Sequence, residues 1–211
     1  MYFKDRKNAA SVLIPYLEKY RNISGVVLAI PRGGVPIAYD IAKEYNFSLE
    51  LLMTKKIGYP SNPELAIGAV GLEDYTIDES FNVPPSYIKD SIKRIRKDLQ
   101  EQYQLFMENR KPLNLENKIV IVVDDGIATG NTILSSIQML RNKNVKKIVV
   151  AVPVSSKEAA AKIKNLVDEF ICPYTPENFV SVAYHYNDFS HVSDEQVIKL
   201  LKEIHQFDKV V

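Results

Sequence analysis

Cysteine is almost absent from this 211-residue chain, where Cys172 stands alone. A single thiol cannot close an internal disulfide, which fits a reducing compartment rather than a stapled secreted domain. Long apolar runs are missing too, none approaching the roughly eighteen residues of a membrane span. The opening residues, MYFKDRK, lack the apolar core that follows the basic start of a secretory leader. The expected location is the cytoplasm. Neither sign of charge is in excess: Lys and Arg number 27, Asp and Glu 26, for a formal net charge of +1. That balance carries no footprint for nucleic acid or for a membrane surface. The 3 histidines, His185, His191 and His205, show no spacing typical of zinc, so no zinc site is expected, and His205 reads as solvent-facing at a helix end. No Ser-His-Asp order or G-x-S-x-G elbow marks a hydrolase. No G-x-x-x-x-G-K-[ST] marks a Walker loop.

What is present is an ordinary soluble composition, 46% apolar and 25% charged in 24.0 kDa, enough for one domain with a small appendage. Its organising stretch is residues 118–132, KIVIVVDDGIATGNT. Five apolar residues, Ile119–Val123, read as a strand buried on both faces. Asp124 and Asp125 follow where that strand leaves its sheet. Then Gly126, Ile127, Ala128, Thr129, Gly130, Asn131 and Thr132 turn the chain into a helix carrying Ile133, Ile137 and Leu140. Loop amides at a helix N-terminus suit a dianionic phosphate, and the threonines add hydroxyl donors. Two adjacent carboxylates are poor phosphate ligands but good acceptors for a vicinal diol. The stretch therefore reads as a site for a ribose 5-phosphate.

A second unit of the same kind lies earlier. Residues 26–30 form another apolar strand ending at Pro31-Arg32-Gly33-Gly34, with Pro36 suited to the first turn of the next helix. In an open α/β sheet both loops face one crevice at the strands' carboxyl ends. Arg32 and the Gly33 and Gly34 amides then join Asp124; alone, the same residues would be a glycine turn with a solvated arginine. Residues 48–54 read as a third strand running into Lys55 and Lys56, of which one binds an anion in the crevice unless both are a solvated edge. Residues 55–85 are punctuated by glycine and proline, with a short hairpin over residues 62–70 and 75–78, and read as a lid or a binding loop. Helices are expected over residues 7–20 and 86–109, the latter with a solvated charged face. A strand spans residues 146–152, with Ser155 and Glu158 as a capping box, and a short one spans residues 170–172. Ser193 and Gln196 cap a closing helix. Residues 176–189 are rich in aromatics.

VIVVDDGIATGNT resembles the PRPP-binding motif of type I phosphoribosyltransferases, PRPP being 5-phosphoribosyl 1-diphosphate. The resemblance implies their fold: an α/β, mainly parallel central sheet flanked by helices, with a small hood and a flexible lid loop. It places one domain over 1–211, a core over about 25–172, a lid over about 55–85, and a hood over about 173–211 with part of the N-terminus. A group of uncharacterised "predicted phosphoribosyltransferases" is similar over nearly the whole chain, in IPRGGVPIA, KKIGYPSNPELAIGAV, VVDDGIATGNT and NDFSHVSDEQV. That group has no settled acceptor.

By this resemblance the chain transfers a phosphoribosyl group from PRPP to a nitrogenous, nucleobase acceptor, purine being favoured, with Mg²⁺ as cofactor and pyrophosphate released. Asp124 and Asp125 are the catalytic pair on the ribose hydroxyls, and residues 126–132 hold the 5-phosphate. Arg32, Gly33, Gly34 and Lys55 or Lys56 hold pyrophosphate, and a strained or cis peptide is expected near Arg32-Gly33. Phe179 is the stacking candidate and Val180 the main-chain contact, with Tyr184 and Tyr186 as rivals and core packing as the plain alternative. The lid closes over the sugar, and the long helix packs against a second subunit in a homodimer. Ala128 departs from hypoxanthine-type enzymes, which carry an aspartate there to assist the base proton, whereas adenine-type enzymes tolerate alanine, so activity is not excluded. Two other readings stand beside transfer: a non-catalytic regulator that senses PRPP, and an unrelated sugar-phosphate scaffold.

Overall fold

A computed structural model describes residues 2–108 and 110–207 of the chain. In chain order its elements are α1 (Arg6–Leu13), a 3-10 segment (Ile14–Tyr20), β1 (Gly25–Ala29), α2 (Gly34–Tyr45), β2 (Ser48–Leu51), β3 (Thr54–Tyr59), β4 (Asn62–Gly71) and β5 (Tyr75–Ile77). There follow α3 (Pro85–Met107), β6 (Ile119–Val123), α4 (Asn131–Asn142), β7 (Lys147–Ala151), α5 (Lys157–Lys164), β8 (Glu169–Ile171), a 3-10 turn (Ala183–His185) and α6 (Asp194–Phe207).

The apolar runs build the centre. Strands β2-β1-β6-β7-β8 form one sheet, every neighbouring pair parallel. Successive side chains of a strand point to opposite faces, so a strand covered on both sides must be apolar at every position. Val27, Ala29, Ile121 and Val123 accordingly pack on the face of α1, α2 and α6. Val26, Leu28, Val120 and Val122 pack on the other, with Ile133 and Ile137 of α4 and Ile163 of α5. Each run lacks alternation because it serves two cores.

Register then sets the site. Gly25 to Ala29 pair one-to-one with Ile119 to Val123, so β1 and β6 end side by side. From that point the chain winds to β2 on one side and to β7 on the other, leaving a crevice where the order reverses.

Several expected elements take a different form. The helix over residues 7–20 tightens after Leu13 into a 3-10 segment with Pro15 at its start, where the ring removes an amide from the α-helical ladder. Strand β2 stops at Leu51; Thr54 already belongs to β3, which pairs antiparallel with β4, and β4 with β5. The segment expected as a lid loop contains the expected hairpin as β4 and β5, and β3 extends it to a three-stranded antiparallel sheet, tied to α4 where the Thr54 and Ser136 hydroxyls meet at 2.9 Å. Its other side is covered by α3, whose Ile95, Leu99, Tyr103 and Phe106 are buried while Lys89, Lys93, Arg94 and Lys97 are exposed.

His205 also differs. It is buried at 5% exposure, with Nε2 3.1 Å from the Leu49 carbonyl. Helix α6 lies against α2 and the β2 edge, and Val197, Leu201 and His205 follow each other at four-residue spacing down its inner face. Among the described residues, no helix is long and apolar enough to cross a membrane.

Candidate active site

Beyond Val123 the backbone carries Asp124 and Asp125 to the crevice, then loops to Gly130, the N-cap of α4 at φ +77. That left-handed conformation penalises any residue with a Cβ. Gly130 offers no side-chain cap, so the first-turn amides of α4 are left for a ligand or water. The loop is braced from below. The Ile127 amide donates to Val154 O (2.9 Å), the Ser156 amide to Ile127 O (2.9 Å), and Ser156 Oγ to Ala128 O (2.7 Å). Ser156 also caps α5 by accepting from the Ala159 amide. The expected cap, Ser155, is instead still extended, its amide donating to Tyr174 O and its hydroxyl to Ser156 O. Ala128, Thr129, Asn131 and Thr132 are exposed along this loop.

The β1 loop interlocks with the β6 loop. Its Pro31–Arg32 peptide is cis, one bond before the position expected. A Cβ on Gly33 would collide with Asp125 Oδ2 and lie 2.6 Å from its Cγ; one on Gly34 would lie 2.6 Å from Val123 O. The two glycines let this loop rest on the end of β6. Gly34 serves packing rather than the crevice: it is buried and its amide is taken by Ile30 O at 3.0 Å. Arg32 reaches across the crevice, its Nε donating to Asp194 Oδ1 at 2.6 Å, where α6 begins.

Arg6 is the site residue that sequence reasoning missed. Its Nε and Nη2 donate to Asp125 Oδ2 at 3.0 and 2.8 Å, and its Nη1 to Ser190 O at 2.9 Å. The guanidinium lies 4.1 Å from the Phe189 ring centroid. Tyr186, behind it, donates its phenol to Asp125 O at 2.6 Å. Nothing in the spacing of α1 marks Arg6, because its partner lies 119 residues away.

Electrostatics separate the two carboxylates. Burial pushes the Asp124 carboxyl well above the usual range, and the neighbouring Asp125 charge adds to it. Burial also raises Asp125, against the pull of the Arg6 guanidinium. Both surround a cavity of about 600 Å³ whose wall includes Arg6, Arg32, Gly33 and Thr132, with Phe189, His191 and Val192 facing them.

Other expected residues lie elsewhere. Lys55 and Lys56 sit on β3, outside this cavity wall, because the chain has already left the parallel sheet. Lys55 is 3.7 Å from Asp98, and Lys56 pairs with Glu64 at 2.9 Å. Phe179 packs on the buried His185 ring at 5.6 Å, and Val180 is 69% exposed. Neither lines the cavity, nor does Tyr186, which is buried beneath Asp125; Phe189 is the aromatic that faces it.

A family model described as "Phosphoribosyl transferase domain" matches residues 6–188. The chain belongs to the phosphoribosyl transferase family. Two Mycobacterium tuberculosis proteins, of strains CDC 1551 and H37Rv, each named "Putative phosphoribosyl transferase", are 34% identical over 209 residues. Those matches take in 97% of this chain and 47% of the relatives, so the chain spans about half the length of the curated relatives it matches. The crystal structure of TT1426 from Thermus thermophilus has a TM-score of 0.89 at 32% identity, over 96% of this chain and 99% of that one. A Neisseria gonorrhoeae protein solved with bound ppGpp, at 15% identity and TM-score 0.53, shares the fold over 96% of each chain. Within the phosphoribosyl transferase match lie Arg6, Arg32 and the whole 124–132 loop, whereas Phe189, His191, Val192 and Asp194 fall outside it.

Proposed function

We propose that the chain transfers a phosphoribosyl group from PRPP to a nitrogenous, nucleobase-type acceptor. One observation carries this. In-register strand ends bring an adjacent carboxylate pair, an uncapped helix N-terminus and the Arg32-Gly33 loop around a single cavity. In this reading Asp124 and Asp125 accept from the ribose hydroxyls, residues 126–132 hold the 5-phosphate, and Arg32 with Gly33 holds the diphosphate. The acceptor nitrogen attacks C1′, the C1′–O bond breaks, and its electron pair leaves on pyrophosphate while the nitrogen gives up its proton. Oxocarbenium character builds on the ribose, as at other glycosidic centres. The chain's contribution is to position the acceptor and to stabilise the leaving diphosphate.

The oxygen donors on the wall, from Asp124, Asp125 and Thr132, are hard donors that suit Mg²⁺. When bound, Mg²⁺ would supply charge neutralisation for the leaving diphosphate, and no dedicated protein ligand is needed for it. Lys55 and Lys56 enter this scheme only if the antiparallel sheet moves toward the crevice. Ala128, exposed and without a carboxylate, supplies no general base for a purine but leaves transfer open, and a second reading, in which the site senses PRPP and transfers nothing, stands beside it.

The test is thermal unfolding with and without PRPP plus Mg²⁺, for wild type and Asp124→Asn/Asp125→Asn. Ligand at a hundred times its Kd adds about 2.7 kcal/mol, a rise of roughly 5–10 °C for a chain of this size. The double variant, referred to its own ligand-free midpoint, is expected to lose that rise. No rise in wild type refutes the assignment. Binding without turnover of any nucleobase moves the conclusion to the sensor.

A further inference from the structure

We propose that Arg6 is a positioning residue for the sugar-binding site: it holds Asp125 by one oxygen so that the other meets the ribose. This rests on the PRPP reading above and adds a residue to it. Both side-chain donors that Arg6 sends to Asp125 converge on Oδ2, and neither touches Oδ1. The pair is nearly closed off, at 12% and 13% exposure, so the contact is little screened by water. Arg6 is itself held on two further sides, by Ser190 O and by the Phe189 ring. Residues 3 and 4 keep the start of α1 against that same segment, with the Phe3 amide on His185 O and the Asn187 and Asp188 amides on Phe3 O and Lys4 O. The fork is therefore rigid before any ligand arrives.

The neighbouring carboxylate is treated differently. Asp124 Oδ1 accepts from the Asp125 amide at 2.8 Å and receives no arginine. Burial raises both carboxyls, and the Arg6 guanidinium opposes that rise by direct hydrogen bonds at Asp125 alone, so the two groups differ in their surroundings. Two unlike groups side by side suit a vicinal diol, in which each hydroxyl both donates and accepts.

The test compares two probes, PRPP and inorganic pyrophosphate, each with Mg²⁺, by calorimetric titration of the full chain. Arg6→Ala is expected to weaken PRPP about tenfold or more, the scale on which outer supports of ligating groups act. Pyrophosphate, which has no ribose, is expected to bind within about twofold of wild type. Arg6→Lys keeps the charge without the fork and recovers part of the loss. Asp125→Asn added to Arg6→Ala is expected to cost little more, because the support is already gone. If Arg6→Ala does not fold, Arg6→Lys alone carries the test, with a partial loss confined to PRPP. Unchanged PRPP affinity overturns the role. So does equal weakening of both probes, which marks a general structural defect, and so does full additivity with Asp125→Asn, which marks a direct ligand. Wild type that binds pyrophosphate but not PRPP overturns the functional reading itself, and the role of Arg6 with it.

Discussion

An alanine at position 33 sets a methyl group where the Asp125 carboxylate already lies. The backbone raises no objection, since Gly33 has ordinary helical angles of φ -61 and ψ -34. Removing a glycine at such a position stabilises by roughly 0.4–1 kcal/mol, through the unfolded chain. The contact opposes it. The new Cβ collides with Oδ2 and lies 2.6 Å from Cγ, closer than real Cβ atoms come, so Asp125 must rotate away. Rotation removes Oδ2 from both Arg6 donors and leaves the guanidinium facing its cavity without its anion. Breaking a buried pair from one side costs about 3–5 kcal/mol. The net expectation for Gly33→Ala is a loss of roughly 2–4 kcal/mol, or about 4–16 °C at the slope usual for 150–250 residues.

A double-mutant cycle separates this from a general intolerance of alanine. Asp125→Ala deletes the three atoms nearest to the new methyl, Oδ2, Cγ and Oδ1. In that background Gly33→Ala is expected to be neutral or stabilising by up to about 1 kcal/mol. The coupling between the sites is then about 2–5 kcal/mol, well above the few tenths found for independent positions. Urea unfolding of the four proteins, with midpoints and slopes fitted together, measures it. A Gly33→Ala midpoint within experimental error of wild type, or an equal cost in both backgrounds, refutes the interlock of the two loops.

Two further outcomes follow from the braces around the site. Ser156→Ala removes both the α5 cap and the support of Ala128 O; it is expected to cost about 1–2 kcal/mol by thermal unfolding and, under the proposed function, to weaken PRPP more than pyrophosphate, because it loosens the 126–132 loop. Glu50 gives a pH dependence. It is 4% exposed, and burial raises its carboxyl above the ordinary 4.5, against hydrogen bonds from Tyr103, Leu113 and Leu51. In the window from 4.5 up to that raised value the folded state binds the proton more tightly than the unfolded one, so stability falls as pH rises. Relative to Glu50→Gln, wild type is expected to lose stability in urea unfolding as pH climbs through this window and to level off above it; a flat or rising difference refutes the assignment.

The central sheet was legible because β1 and β6 are buried on both faces, and such strands must be apolar without a break. The acidic pair and the loop after it were legible because a strand end, two carboxylates and a glycine at the next helix start lie in one continuous stretch. What failed depended on where the chain turns. Lys55 and Lys56 were placed by extending the third strand in a straight line, and no local signal told that the parallel sheet ends at Leu51. The tract 176–189 offered several aromatic rings, and pattern alone could not say that Phe189 faces the cavity while Phe179 packs on His185. The spacing Val197–Leu201–His205 did carry the burial of His205, since a polar residue continuing an apolar stripe shares its face.

Asp125 shows why the remainder stayed out of reach. It is contacted by Arg6 from the N-terminal helix, by the close approach of Gly33 from the β1 loop, and by Tyr186 from the segment before α6. These three groups lie far apart in sequence and meet only when the sheet, the first helix and the segment before α6 are all in place. Local propensity sees none of them, and each looks ordinary on its own. The arrangement also has an energetic consequence. Burial raises both carboxyls, so the acidic pair opposes folding, and the arginine offsets part of that cost for one of them. A site held this way is stable only while the N-terminal helix stays docked. Loosening residues 3–6 is therefore expected to weaken sugar binding before it disturbs the sheet beneath.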